Sequence, residues 1–233
     1  MTNDKSVIII QLHRIETPGA IGDYLSENSI PFKVIHPYRG DKLPEPDRAR
    51  AIISLGCPES VADSLLTDWS RRLFHYLDLA HTADTPYLGL CYSAQLMAAN
   101  RGAAVMPASA KEIGVYDVTL TEEGLEDPLF AGFPASFPVF HWHGEMFDIP
   151  VGGTLLACGE TCRNQAFRSD NNWGVQFHLE ADPDKLPLWC EEYAQEIPAA
   201  GKDAQTVLAE YEKTAPEIRR LCYQLLGNFF SLR

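Results

Sequence analysis

The stretch Tyr87-Leu88-Gly89-Leu90-Cys91-Tyr92-Ser93-Ala94-Gln95-Leu96-Met97-Ala98 constrains this chain more than any other. Its first residues read as a buried strand and its last as a helix, with a cysteine at the sharp turn between them. Small residues flank the turn, Gly89 before and Ser93 after, as a strand-to-helix elbow requires where backbones come close. The geometry lifts the apical side chain out of the packing and sets a thiol at a helix N-terminus, where the dipole favours thiolate. The competing reading is a buried structural cysteine at a strand end, a common fate of free Cys.

The rest of the first half repeats the alternation. Val7 to Leu12, Phe32 to Ile35 and Ala51 to Ser54 are apolar, β-branched runs that read as strands. Pro18 to Glu27 reads as a helix, and residues 37–48, with Pro37, Gly40, Pro44 and Pro46 among charges, as an exposed loop. Leu66, Trp69, Leu73, Leu77 and Ala80 predict one long helix ended by Asp84 to Pro86. Strands alternating with helices predict a largely parallel sheet covered on both faces, an α/β three-layer sandwich. Sites in such sheets lie beyond the strands' carboxyl ends, where both Gly56-Cys57-Pro58 and Cys91 fall.

The second half reads differently. Val115 to Leu120, Val139-Phe140, Thr154 to Ala157, Gln165 to Arg168 and Trp173 to Phe177 predict short strands between turns rich in Gly, Pro, Asp and Asn. They suggest a small antiparallel meander appended to the parallel sheet. Asp184 to Glu196 predicts a helix with Leu188, Trp189 and Tyr193 inward, and the last stretch predicts two helical pieces broken near Pro216. With no repeat, low-complexity tract or linker, residues 1–233 are expected to form a single domain, 197–233 being a C-terminal helical extension.

A net charge of -13, from 19 basic and 32 acidic residues, argues against nucleic acid as a partner. The apolar run Val7 to Ile10 is too short for a signal core, and no stretch approaches membrane-spanning length. The six scattered cysteines are expected to be reduced thiols in the cytoplasm. Cys158 and Cys162 lack a second Cys/His pair to complete a zinc set, so no metal is expected. Nothing resembles a phosphate-binding glycine loop, and no cofactor is expected.

A cysteine nucleophile needs a base and a group that orients the base. In Gly174-Val175-Gln176-Phe177-His178-Leu179-Glu180 an apolar strand delivers His178 at its carboxyl end, and Glu180 can accept from the other imidazole nitrogen. Gly89-Leu90-Cys91-Tyr92-Ser93-Ala94-Gln95 resembles the Gly-x-Cys-x-Gly-x-Gln nucleophile motif of class I, triad-type glutamine amidotransferases, and Gln176 to Glu180 resembles their Gln-Phe-His-Pro-Glu motif. Ile53 to Ser60 is similar to their Ser-Gly-Gly-Pro-x-Ser loop, His141-Trp142-His143-Gly144-Glu145 to their His-Gly-Asp segment, and Asn164 to Arg168 also has a counterpart. The matches run in family order from about residue 7 to about 182, and the nearest look-alikes are stand-alone, GMP-synthase-like members. No synthetase domain is expected in the chain.

The resemblance implies a flavodoxin-like, amidotransferase-type fold and a mechanism. Cys91 would attack the glutamine carboxamide, with His178 and Glu180 completing a Cys-His-Glu triad. The amides of Cys57 and Tyr92 would face the oxyanion, Gln95 would hold the substrate amide, and Trp142, His143 and Gly144 would contact the amino-acid end. A γ-glutamyl thioester forms and is hydrolysed, and the ammonia passes to a synthetase partner or to water. Glu145 and Asp148 could bind the substrate amino group or cap their loop. Three positions depart from the pattern: Cys57 and Ser93 replace Gly, and Leu179 replaces Pro. A positive φ at Cys57 would be costly for a side chain.

Two competitors remain. One is a γ-glutamyl peptidase or hydrolase using the same triad on a γ-glutamyl conjugate, for which a groove formed by residues 37–48 and 141–150 would make room. The other is a binding protein that keeps the fold without catalysis, as Cys57 suggests.

Overall fold

A computed structural model describes residues 5–232. Five short strands, β1 (Val7–Ile10), β2 (Phe32–Ile35), β3 (Ala51–Ser54), β4 (Tyr87–Leu90) and, much later in the chain, β9 (Asn172–Val175), run parallel in the order β2-β1-β3-β4-β9. Beyond β9 the sheet continues antiparallel through β8 (Asn164–Ser169), β7 (Thr154–Cys158), β5 (Val105–Leu120) and β6 (Ser136–Phe147), making nine strands.

Alternation along the strands builds two cores. Val7, Ile9, Ile53, Leu88, Leu90, Trp173 and Val175 face α1 (Gly19–Glu27), α6 (Leu186–Glu192) and α7 (Ala204–Ser231). Ile8, Ile10, Ile52 and Tyr87 face α3 (Asp68–Thr82) and α4 (Tyr92–Asn100). Because successive strand side chains point to opposite faces, a continuous apolar run is what a sheet covered on both sides demands. The α/β three-layer sandwich with an antiparallel extension is thus the observed architecture.

Several elements differ from expectation. Trp173 lies in the fifth parallel strand, not in the appended meander: β9 pairs parallel with β4 and antiparallel with β8, so it is the strand where the sheet changes direction. Strands β5 and β6 are far longer than Val115 to Leu120 and Val139-Phe140, because they pair with each other along most of their length and apolar alternation marks only the part that is buried. The helix expected from Leu66 onward is broken. A short turn, α2 (Val61–Ser64), is capped by the Ser60 hydroxyl, and Leu66 lies exposed before α3 begins. Residues 37–48 hold two 3-10 turns whose leading prolines, Pro37 and Pro46, are buried.

Pro216 does not break α7. The proline lacks the amide that would reach the Glu212 carbonyl, but both residues are exposed, so the missing bond falls on the solvent side of the helix. Tyr211, Ile218, Leu221, Cys222 and Leu225 then hold the helix on the sheet from both sides of the proline. Helix α6 is shorter than expected, with Trp189 and Tyr193 buried but Leu188 exposed.

Candidate active site

The carboxyl ends of the parallel strands meet in a cleft of about 260 Å³. Cys91 sits at the apex between β4 and α4 with φ 50° and ψ -112°, a conformation that is sparsely populated for a residue with a side chain. The surroundings hold it there. Its amide donates to the Val175 carbonyl at 2.7 Å, and the first turn of α4 packs so close behind Gly89 that a Cβ would lie 3.0 Å from the Ser93 carbonyl. Glycine at 89 is what the elbow needs. Ser93, where the motif it resembles has glycine, is accommodated by bonding Ser54 Oγ and donating to the Leu55 carbonyl, both at 2.7 Å.

His178 follows β9 and is fixed by its own amide, which donates to the Phe140 carbonyl at 2.7 Å. Its Nδ1 lies 2.6 Å from Glu180 Oε1. A carboxylate only accepts, so Nδ1 carries a proton and Nε2 is left to face the Cys91 sulfur. Burial pushes this imidazole down, but the Glu180 carboxylate and the Cys91 sulfur outweigh it and hold the ring well above the ordinary histidine value. Glycine at 56 is the hub of the site: a Cβ there would overlap Glu16 Oε2, stand 3.0 Å from His178 Cε1 and 3.6 Å from Cys91 Cβ. Sulfur, imidazole and carboxylate from distant parts of the chain therefore share one small space, with Glu180 behind His178.

The other expected residues divide. Cys57, Gln95, Trp142, His143 and Gly144 line the cleft. Tyr92 lies outside that lining, and its buried hydroxyl bonds Ser64 and Ser70. First-turn helix amides have no partner within the helix, which leaves the Tyr92 amide available; the Cys57 amide, likewise, donates to no backbone carbonyl among the described residues. Cys57 does not have a positive φ, so the strain anticipated for a side chain there does not arise. Burial pushes its thiol up, away from reactivity. Gln95 Nε2 donates to Gln176 Oε1 and to the Glu145 carbonyl, each at 3.1 Å. Glu145 lines the cleft and accepts from the Val61 amide at 3.3 Å. Asp148 is exposed and lies outside the lining. No residue of 37–48 contributes to the cleft, whereas 142–145 form one wall.

Sequence reasoning missed several members. Glu16, between β1 and α1, is buried against His178 and accepts from the Tyr193 hydroxyl at 3.2 Å. Burial raises its carboxyl to about 7, with His178 opposing. The signal was its place at a third strand's carboxyl end, ahead of Pro18 and Gly19. Gln176 donates to Cys91 Sγ at 3.5 Å. Trp189, whose ring meets that of His178 edge-on at 5.2 Å, and Tyr193 are wall residues as well as core. Lys111 and Glu196, paired at 2.7 Å, bound the outer end.

Residues 20–186 match the family model described as glutamine amidotransferase class-I. This chain belongs to the class I glutamine amidotransferase family. It is 30% identical over 218 residues to the glutamine amidotransferase-like protein YfeJ of Salmonella typhimurium, covering 91% of this chain and 89% of that one. It is 35% identical over 150 residues to the glutamine-hydrolysing GMP synthase of Porphyromonas gingivalis, a match that covers 63% of this chain and 28% of the synthase. Among solved structures, a glutamine amidotransferase from Thermotoga maritima superposes with a TM-score of 0.89 at 26% identity, covering 97% of this chain and 98% of that one. One from Methylobacillus flagellatus gives 0.88 at 27%, covering 97% and 94%. No helix among the described residues of this family member is long and apolar enough to cross a membrane.

Proposed function

We propose that this class I family member hydrolyses the side-chain amide of glutamine through a Cys91-His178-Glu180 triad. The observation that carries the reading is the strained, positive-φ cysteine facing a histidine whose far nitrogen is bonded to a buried carboxylate. His178 takes the thiol proton through Nε2, and the Cys91 sulfur adds to the amide carbon. The amides of Tyr92 and Cys57 would donate to the oxyanion. Collapse breaks the C–N bond as His178 returns the proton to the departing nitrogen, leaving a γ-glutamyl thioester and ammonia. Water, deprotonated by His178, then cleaves the thioester to glutamate and free thiol. Gln95, through its link to Gln176, orients the donor amide, and Trp142, His143 and Gly144 border the amino-acid end. The ammonia passes to water or to a synthetase partner. The kinship with GMP synthase supports the second destination.

The test is glutamate release from glutamine by the purified chain, with Cys91→Ala as control. Release that is absent from wild type, or retained by the variant, refutes the proposal. A second reading has its own support: the cleft runs on past the thiol to Lys111, Trp189, Tyr193 and Glu196, room for a γ-glutamyl conjugate. Faster turnover of γ-glutamyl dipeptides than of glutamine would select it.

A further inference from the structure

Behind the Trp142–Glu145 wall lies a cluster that the triad does not use. Glu112 on β5 stands opposite His143 on β6, and His141, two residues away, shares their face of the hairpin. All three are buried, at 2%, 5% and 1% exposure. His143 Nε2 lies 2.9 Å from Glu112 Oε2 and 3.1 Å from His141 Nδ1, and the remaining side, His141 Nδ1 to Glu112 Oε2, is 3.9 Å. A triangle with these sides has a point about 2.0 Å from every corner, the distance at which zinc binds imidazole nitrogen and carboxylate oxygen.

Proton accounting points the same way. His143 Nδ1 is 3.0 Å from the Glu145 carbonyl, which can only accept, so Nδ1 carries the proton. In the neutral ring, Nε2 then presents a lone pair to the carboxylate oxygen and to His141 Nδ1. With the proton of His141 on Nε2, which has no hydrogen-bond partner among the described residues, three electron-pair donors converge on one point. The outer contacts are those of a metal centre: one imidazole is oriented by a backbone carbonyl, and Gln165 Nε2 donates to Glu112 Oε2 at 2.9 Å. Two imidazoles and one carboxylate suit zinc-class cations better than magnesium or calcium.

We infer that Glu112, His141 and His143 form a binding site for a zinc-class divalent cation. The cation would tie β5 to β6 and hold Trp142, whose carbonyl lies 3.8 Å from Cys91 Sγ, in place between the two histidines. The site stands whether or not the chain hydrolyses glutamine, because none of its evidence comes from the triad.

The experiment uses the full chain, stripped with chelator, dialysed against zinc and desalted. Wild type is expected to retain one zinc per chain by elemental analysis and to melt roughly 5–10 °C higher with zinc than without. Glu112→Gln and His141→Phe are expected to lose at least about tenfold in zinc affinity, whereas Cys91→Ala keeps its metal. Wild type that retains no zinc overturns the inference, as does equal retention by both cluster variants or loss in Cys91→Ala. X-ray absorption on the wild-type complex needs no variant. A nitrogen and oxygen shell near about 2.0 Å supports the site, and a shell dominated by sulfur overturns it.

Discussion

Glu180 Oε1 lies 2.6 Å from His178 Nδ1, two residues apart at the end of β9 and both buried. The spacing that places them together also turns Glu180 toward α1. There the Glu180 carbonyl accepts from the Ala20 amide at 3.1 Å, and a Cβ on Gly19 would overlap that carbonyl. The backbone of the residue whose carboxylate meets the His178 imidazole is therefore anchored by the first helix of the chain.

Glu180→Gln replaces an ionised acceptor with a neutral one. Its carboxylate helps to hold His178 well above the ordinary value, so the variant's imidazole should titrate lower, read directly from its Cε1 proton resonance. The stabilisation from this pairing is fully present below the unfolded histidine value of about 6.5 and is lost as pH rises through the raised folded value. Turnover should fall on the order of 10²–10⁴-fold, as when a triad's orienting acid is neutralised. An unmoved resonance would show that Glu180 does not act on the ring.

Cys91→Gly and Cys91→Ala should both be inactive yet differ in stability. Only glycine occupies φ 50°, ψ -112° without strain, and the strain is worth about 1–3 kcal/mol. Cys91→Gly should therefore have the higher midpoint in denaturant, after allowing for glycine's greater unfolded-state entropy. Equal midpoints would mean that the strain at the elbow is no larger than that entropy.

Glu16→Gln tests the buried acid. With its carboxyl raised to about 7 in the folded chain, the native state binds more protons than the unfolded one between that value and about 4.3. Wild type should lose on the order of 3 kcal/mol across this window as pH rises. The loss is complete above the folded value. Glutamine carries no charge to bury, so the variant should gain more in melting temperature at pH 8 than at pH 5. The same gain at both would contradict the assignment.

Pro216→Ala restores an amide to the middle of α7. Helix interiors favour Ala over Pro by about 3 kcal/mol, offset in part by about 0.4–1 kcal/mol of unfolded-state entropy. The melting temperature should rise, by roughly 2–4 °C for each kcal/mol gained. A fall would mean that the proline's own packing outweighs the missing bond.

What could be read in advance was local. Cys91 and His178-x-Glu180 stand out because the strand, the turn and the proposed catalytic residue are consecutive. The apolar runs at β1, β3 and β4 disclose a sheet buried on both sides by the same logic. Glu16, Glu112 and Gln165 were illegible because each is a polar residue whose burial depends on contacts far along the chain, such as Tyr193 for Glu16 and His143 for Glu112. The direction of β9 was hidden for a related reason: a short apolar strand specifies its faces but not which neighbour it will join. Leu66 misled because it continues a helical period that the exposed turn after α2 interrupts.

The position of β9 has a consequence for how the protein is made. Leu88 pairs with Trp173, and Leu90 with Val175, so as the polypeptide leaves the ribosome the edge of β4 stays bare until about 80 more residues have been synthesised. Such long-range closure is slow, and an uncovered apolar edge invites pairing with other chains. Chaperone dependence and aggregation of truncated products should therefore set in sharply for chains ending before residue 172 and ease once β9 has emerged.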